Sequence, residues 1–123
     1  MEIGSYWDAV LRQQAEKMRT FFHKDALIRW PNTNESFTVE EFIRANCEYP
    51  GEWEGQIEQA VEAGDVIFTI VHVISADHQA SFHVASLIRI KDERIMSLDE
   101  VWGDDGSAPQ WRLDLHLGRP IHF

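Results

Sequence analysis

Residues 80–102 read Ala80-Ser81-Phe82-His83-Val84-Ala85-Ser86-Leu87-Ile88-Arg89-Ile90, then Lys91-Asp92-Glu93-Arg94, then Ile95-Met96-Ser97-Leu98-Asp99-Glu100-Val101-Trp102. Two β-branched and aromatic runs flank a short charged break, which is the pattern of a long antiparallel hairpin. Side chains alternate along a strand, so Phe82, Val84, Ser86 and Ile88 share one face, and Leu98, Glu100 and Trp102 share another. Strict alternation puts His83 on the opposite face from Ser86. A carboxylate two residues before an indole, inside a curved sheet, marks a candidate pocket.

Working upstream, Val66 to Ile74 is an unambiguous strand, entered through the tight-turn pair Gly64-Asp65. Before it, Trp53, Ile57 and Val61 alternate with Glu54, Glu58 and Glu62. That spacing of four also suits a helix, but the turn that follows favours a strand. Thr38 and Glu41 form a capping box for a helix through Phe42, Ile43 and Asn46, ended by Tyr49-Pro50-Gly51. Asp25 to Trp30 reads as a strand stopped by Pro31, and Asn32 to Ser36 as a loop. At the N-terminus, Ser5 can cap a helix carrying Trp7, Val10, Leu11 and Met18 on one face, with Tyr6 at its edge and Phe21-Phe22 closing it.

Downstream, Gly103 to Pro109 is a loop. Leu113, Leu115 and Leu117 then alternate with Asp114 and His116, as an edge strand or an arm packing on another surface. The order is helix, strand, helix, then at least four strands. It predicts one α+β domain over residues 1–123, with its core at about 5–103 and a C-terminal arm at 104–123.

The 123 residues, 44% hydrophobic and 26% charged, suit one soluble globular domain. A formal charge of −10 repels phosphates and anionic lipids, so neither nucleic acid nor membrane is an expected partner. One cysteine, Cys47, allows no internal disulfide, and with no visible signal segment it fits a cytoplasmic protein. Cys47 reads as structural. His72, His83 and Glu100 share no recognised ligand spacing, so no metal and no cofactor are expected.

The order of these elements, with Asp25-Ala26-Leu27-Ile28-Arg29-Trp30-Pro31 after the first helix and a last strand from Arg94 to Trp102, resembles the nuclear transport factor 2-like superfamily. Within it, the chain is most similar to the SnoaL-like polyketide cyclase and ketosteroid isomerase branch. The resemblance implies a cone-shaped half-barrel: a curved antiparallel sheet, with the N-terminal helices on its concave face, around a small-molecule pocket. It also implies a homodimer through the outer sheet face. Tyr6 stands where the isomerases keep an oxyanion-binding tyrosine, and Trp102 matches a pocket tryptophan. Trp30 replaces their proton-abstracting carboxylate and Ser86 their second acid, which argues against steroid isomerisation. Glu100 is similar in position to the acid/base aspartate of the cyclases, while Ser86 does not match the cyclase histidine.

Under that resemblance Phe68, Ile70 and His72 join the other two sets as pocket walls. Glu100 is then the proton-transfer group, raised in pKa by lost hydration, with His72 as its partner and Tyr6 as oxyanion donor. Trp30, Asn46, Phe68, Phe82, Val84, Ser86, Leu98 and Trp102 are the expected substrate contacts, with Asn34 beside Asn46 at the mouth. The competing reading makes Glu100 a buried ion-pair or hydrogen-bond partner, for instance of Arg112, and the aromatics ordinary core. Two functions follow: cofactor-free acid/base catalysis of isomerase, cyclase or hydrolase type on a small apolar molecule, or non-catalytic small-ligand binding or dimerisation. The outer face, expected to carry Ile67, Thr69, Val71 and Val73, is too apolar to stay bare and marks the dimer contact.

Overall fold

The computed structural model describes residues 1–122. Four helices, α1 (Ile3–Leu11), α2 (Ala15–Thr20), α3 (Val39–Cys47) and α4 (Gln110–Asp114), accompany six strands. These are β1 (Phe22–Trp30), β2 (Glu35–Phe37), β3 (Trp53–Ala63), β4 (Val66–Ser75), β5 (Ser81–Lys91) and β6 (Arg94–Asp104). They form one unclosed sheet in the order β2-β1-β6-β5-β4-β3, with α1 to α3 packed on one face. The α+β half-barrel architecture is therefore as expected, and the β5–β6 hairpin lies at its centre. One pairing departs from an antiparallel sheet: β1 runs parallel to β6. No hairpin can join these two strands, because the rest of the fold lies between them in sequence.

Local chemistry explains most of the element ends. Thr38 and Glu41 form the reciprocal capping box of α3. Glu2, not Ser5, caps α1, accepting from the Gly4 and Ser5 N–H groups at 3.0 and 2.6 Å. The first helix stops at Leu11, because Gln13 adopts φ 55°. Met18 follows in α2, and Phe22 opens β1 instead of closing a helix. The expected loop at Asn32 to Ser36 holds a short 3-10 turn at Pro31–Thr33 and the start of β2. The C-terminal leucines form no strand: α4 is one short turn of helix, and Trp111, Leu113, Leu115 and Leu117 are all exposed.

The face of β4 is the main correction. Val71 pairs with Val84, Thr69 with Ser86 and Ile67 with Ile88, so the odd-numbered residues of β4 look into the hollow. Ile67, Thr69, Val71 and Val73 are buried there, against the expectation that they form the outer face. Phe68, Ile70 and His72 stand instead on the convex side, where Phe68 is 36% exposed. Alternation could not decide this, because β4 is apolar on both faces and a one-residue choice of register inverts every side chain.

A bulge in β3 has a similar effect. Ile57 opposes Val71 and Gln59 opposes Ile70, leaving Glu58 as the extra residue. Ile57 thus faces inward, while Val61, paired with Phe68, faces out.

Candidate functional site

Between the C-terminal ends of α1 and α3 and the far ends of β3 to β6 lies a cavity of about 360 Å³. That size suits a small organic molecule. Its walls include Trp7, Trp30, Tyr49, Trp53, Phe82 and Trp102. The rings form an arc, edge-to-face from Trp30 to Trp102 at 6.3 Å, Trp102 to Phe82 at 6.3 Å and Trp53 to Tyr49 at 5.4 Å, and tilted from Phe82 to Trp53 at 5.6 Å. Such contacts hold aromatic walls in fixed orientations.

The polar groups at the rim are mostly committed to the fold. Asn46 donates from Nδ2 to the Val10 carbonyl at 2.9 Å, closing the end of α1. Gln13 donates to the carbonyls of Asn46 and Tyr49, both at 2.8 Å. Asn32 accepts from the Trp102 backbone N–H at 3.0 Å. Asn34 is exposed and does not line the cavity; Asn32 and Thr33 take that place.

Glu100 lies behind this wall. It is 1% exposed and does not line the cavity. Ser86 Oγ donates to its Oε2 at 2.7 Å, and Trp30 Nε1 donates to its Oε1 at 3.1 Å. Burial pushes its pKa up, and the donors Ser86, Trp30 and Trp102 only partly oppose that. The anticipated partner Arg112 sits on exposed α4, with its guanidinium over the Trp111 ring. Tyr6 is fully buried, and burial, reinforced by the charge on Glu100, lifts its hydroxyl pKa well above 10. Among the described residues, the Tyr6 hydroxyl and the Trp102 indole N–H are buried without a partner of good hydrogen-bond geometry.

The expected site residues therefore divide three ways. Trp30, Asn46, Phe82 and Trp102 line the cavity. Tyr6, Val84, Ser86, Leu98 and Glu100 form a closed layer beneath it. Phe68 and His72 are on the convex face, and His72 Nε2 lies 2.9 Å from Ser81 Oγ, so it is no partner for Glu100. His83 is beside it, as alternation required. Sequence reading missed Trp7, Tyr49 and Trp53. Trp7 lies mid-helix on the apolar face of α1 and read as core, while Tyr49 and Trp53 stand at element ends, where periodicity carries least information, although an aromatic on each side of Pro50-Gly51 is a usable signal.

The model of the SnoaL-like domain family matches residues 3–98. No curated protein matches the chain. Among solved structures, a candidate ketosteroid isomerase from Kribbella flavida is similar with a TM-score of 0.81 at 19% identity, covering 97% of this chain and 87% of that one. A nuclear transport factor 2-like protein of unknown function from Burkholderia xenovorans gives 0.79 at 14% identity, over 98% and 92%. IdmH, a candidate polyketide cyclase from Streptomyces antibioticus, gives 0.70 at 15% identity, over 81% and 88%. At these identities the likeness is one of fold.

Proposed function

The chain belongs to the SnoaL-like domain family, and from that premise we propose that it binds a small, largely apolar molecule in its aromatic cavity. The observation that carries this reading is the arc of five rings, Trp30 to Tyr49, around about 360 Å³ of space. The ligand stacks among the rings, and its polar end meets the rim at Asn32, Thr33 and Asp104. The tryptophan walls report occupancy themselves. A panel of small aromatic and alicyclic compounds is titrated while indole fluorescence is followed. Saturable quenching is expected in the native protein, and none in Ala45→Phe, which fills the cavity from α3. Equal responses in both proteins refute the reading.

A second reading, acid/base turnover with Glu100 as the proton-transfer group and Tyr6 as donor to an oxyanion, is supported by the buried Tyr6 hydroxyl, which has no hydrogen-bond partner among the described residues and feels the Glu100 charge. Strongly perturbed titratable groups in such places are characteristic of reactive sites. Glu100→Gln separates the two readings: a pure binder keeps its ligand and its function, whereas an enzyme keeps its ligand and loses turnover.

The reading includes a cytoplasmic setting, supported by the single free thiol of Cys47. It also includes a homodimer through the convex face, where Val61, Phe68 and Val101 are exposed. A monomeric mass in solution at micromolar concentration would remove the dimer from the proposal.

A further inference from the structure

On the side of the sheet away from the cavity, three adjacent strands bring together side chains that the pocket does not use. His72 of β4 and His83 of β5 face each other across the antiparallel pair, with their rings stacked at 4.7 Å and 8°. Glu58, the bulged residue of β3, places Oε1 3.2 Å from His83 Nε2. Asp105, just past β6, has Oδ1 2.5 Å from His83 Nδ1 and Oδ2 3.5 Å from His72 Nε2. One ring nitrogen of each histidine and one Glu58 oxygen all lie within 4.8 Å of one another.

We propose that Glu58, His72 and His83 bind one divalent transition-metal ion of the zinc class, with Asp105 orienting His83. The Nδ1–H of His83 donates to Asp105, which fixes the tautomer and leaves the Nε2 lone pair directed toward Glu58. A carboxylate behind a ligating imidazole is the usual support of such a ligand. Two imidazole nitrogens and one carboxylate suit zinc, cobalt or nickel; magnesium and calcium prefer all-oxygen sets. Donors around a tetrahedral zinc stand about 3.4 Å apart, given bonds of about 2.1 Å. The Glu58–His83 pair already meets that spacing, and the other donor pairs lie within 4.8 Å. The four side chains are 28–41% exposed, so an ion can reach them and water can complete the shell.

With the metal bound, β3, β4 and β5 are fastened together outside the core, and the ion stabilises the fold by binding the native state alone. The test uses tag-free, chelator-treated protein titrated with Zn2+ by calorimetry and with Co2+ by visible absorption. One saturable site per chain and an intense tetrahedral Co2+ spectrum are expected. Asp105→Asn should weaken binding about 10- to 100-fold while keeping the spectrum. His83→Gln and Glu58→Gln, both with partly exposed side chains outside the core, should abolish the site while circular dichroism remains native. No stoichiometric binding, or binding that survives His83→Gln, overturns the proposal, since the ion would then sit elsewhere.

Discussion

Replacing Glu100 by glutamine tests whether the buried carboxyl is held protonated by the fold. Glutamine has the same shape, and its two ends fit the two donors differently. Trp30 Nε1 can only donate, so it takes the amide oxygen; Ser86 Oγ can rotate and accept from the amide nitrogen. At low pH the neutral acid and the amide are near equivalents, and the two proteins should agree in stability to within about 1 kcal/mol. Above the ordinary value of 4.5 they diverge. The folded-state pKa is raised, so between the unfolded and folded values the native chain binds more protons than the unfolded one. Native stability therefore falls as pH climbs through that interval, and it levels once both states are ionised. The glutamine variant escapes this loss, and its advantage should grow by about 1.4 kcal/mol for each unit by which burial lifts the carboxyl. Urea unfolding of both proteins from about pH 5 to about pH 8.5 reads the difference directly, since every other titrating group cancels. A difference that stays flat with pH, or that turns against the variant as pH rises, would refute the argument that burial outweighs the donors around the carboxyl.

Gly55→Ala places a Cβ 2.7 Å from Leu11 Cδ1 and 3.0 Å from the His72 carbonyl, so the Leu11 side chain must move and the β3–β4 backbone must give slightly. A loss of about 1–3 kcal/mol in chemical denaturation is expected. Thr38→Ala removes half of the α3 capping box and should cost about 1 kcal/mol in the same assay. Tyr6→Phe removes a buried hydroxyl that has no partner among the described residues, and should leave stability unchanged or raise it by about 1 kcal/mol; a clear loss would show that the hydroxyl is bonded.

The β5–β6 hairpin was legible because one side of each strand is apolar and the other is not. Val84, Ser86 and Ile88 share one face, as alternation implied, and that face lies inward with Leu98 and Glu100, as the family resemblance suggested. The α3 cap was legible because a capping box is a local contact between residues three apart. What failed was long-range. β4 offers Ile67, Phe68, Ile70 and Val71 on both sides, and only its pairing with β5 decides which pair is inside. With that inversion His72 moved from the expected catalytic pair to the outer surface. The burial of Glu100 was correctly anticipated, but its separation from the cavity was not. That separation depends on how two indoles, at Trp30 and Trp102, fill the space in front of it, and packing of this kind has no signature in strand periodicity.

The surplus residue of β3 bears on how this chain tolerates change in length. Excising position 58 outright would let Ile57 and Gln59 become consecutive rungs against Val71 and Ile70, with every other pairing of the strand kept. Excising Gln59 instead would do the same with Glu58 against Ile70, whereas losing a residue away from this bulge would force part of the ribbon to turn over, trading greasy for charged across the sheet. The ladder thus has one dispensable link, and its removal would be felt in the bend of the strand and the width of the cone's mouth. A shortened chain of this kind would separate two properties that sequence comparison alone confounds: how the strands are matched, and how far the sheet curls.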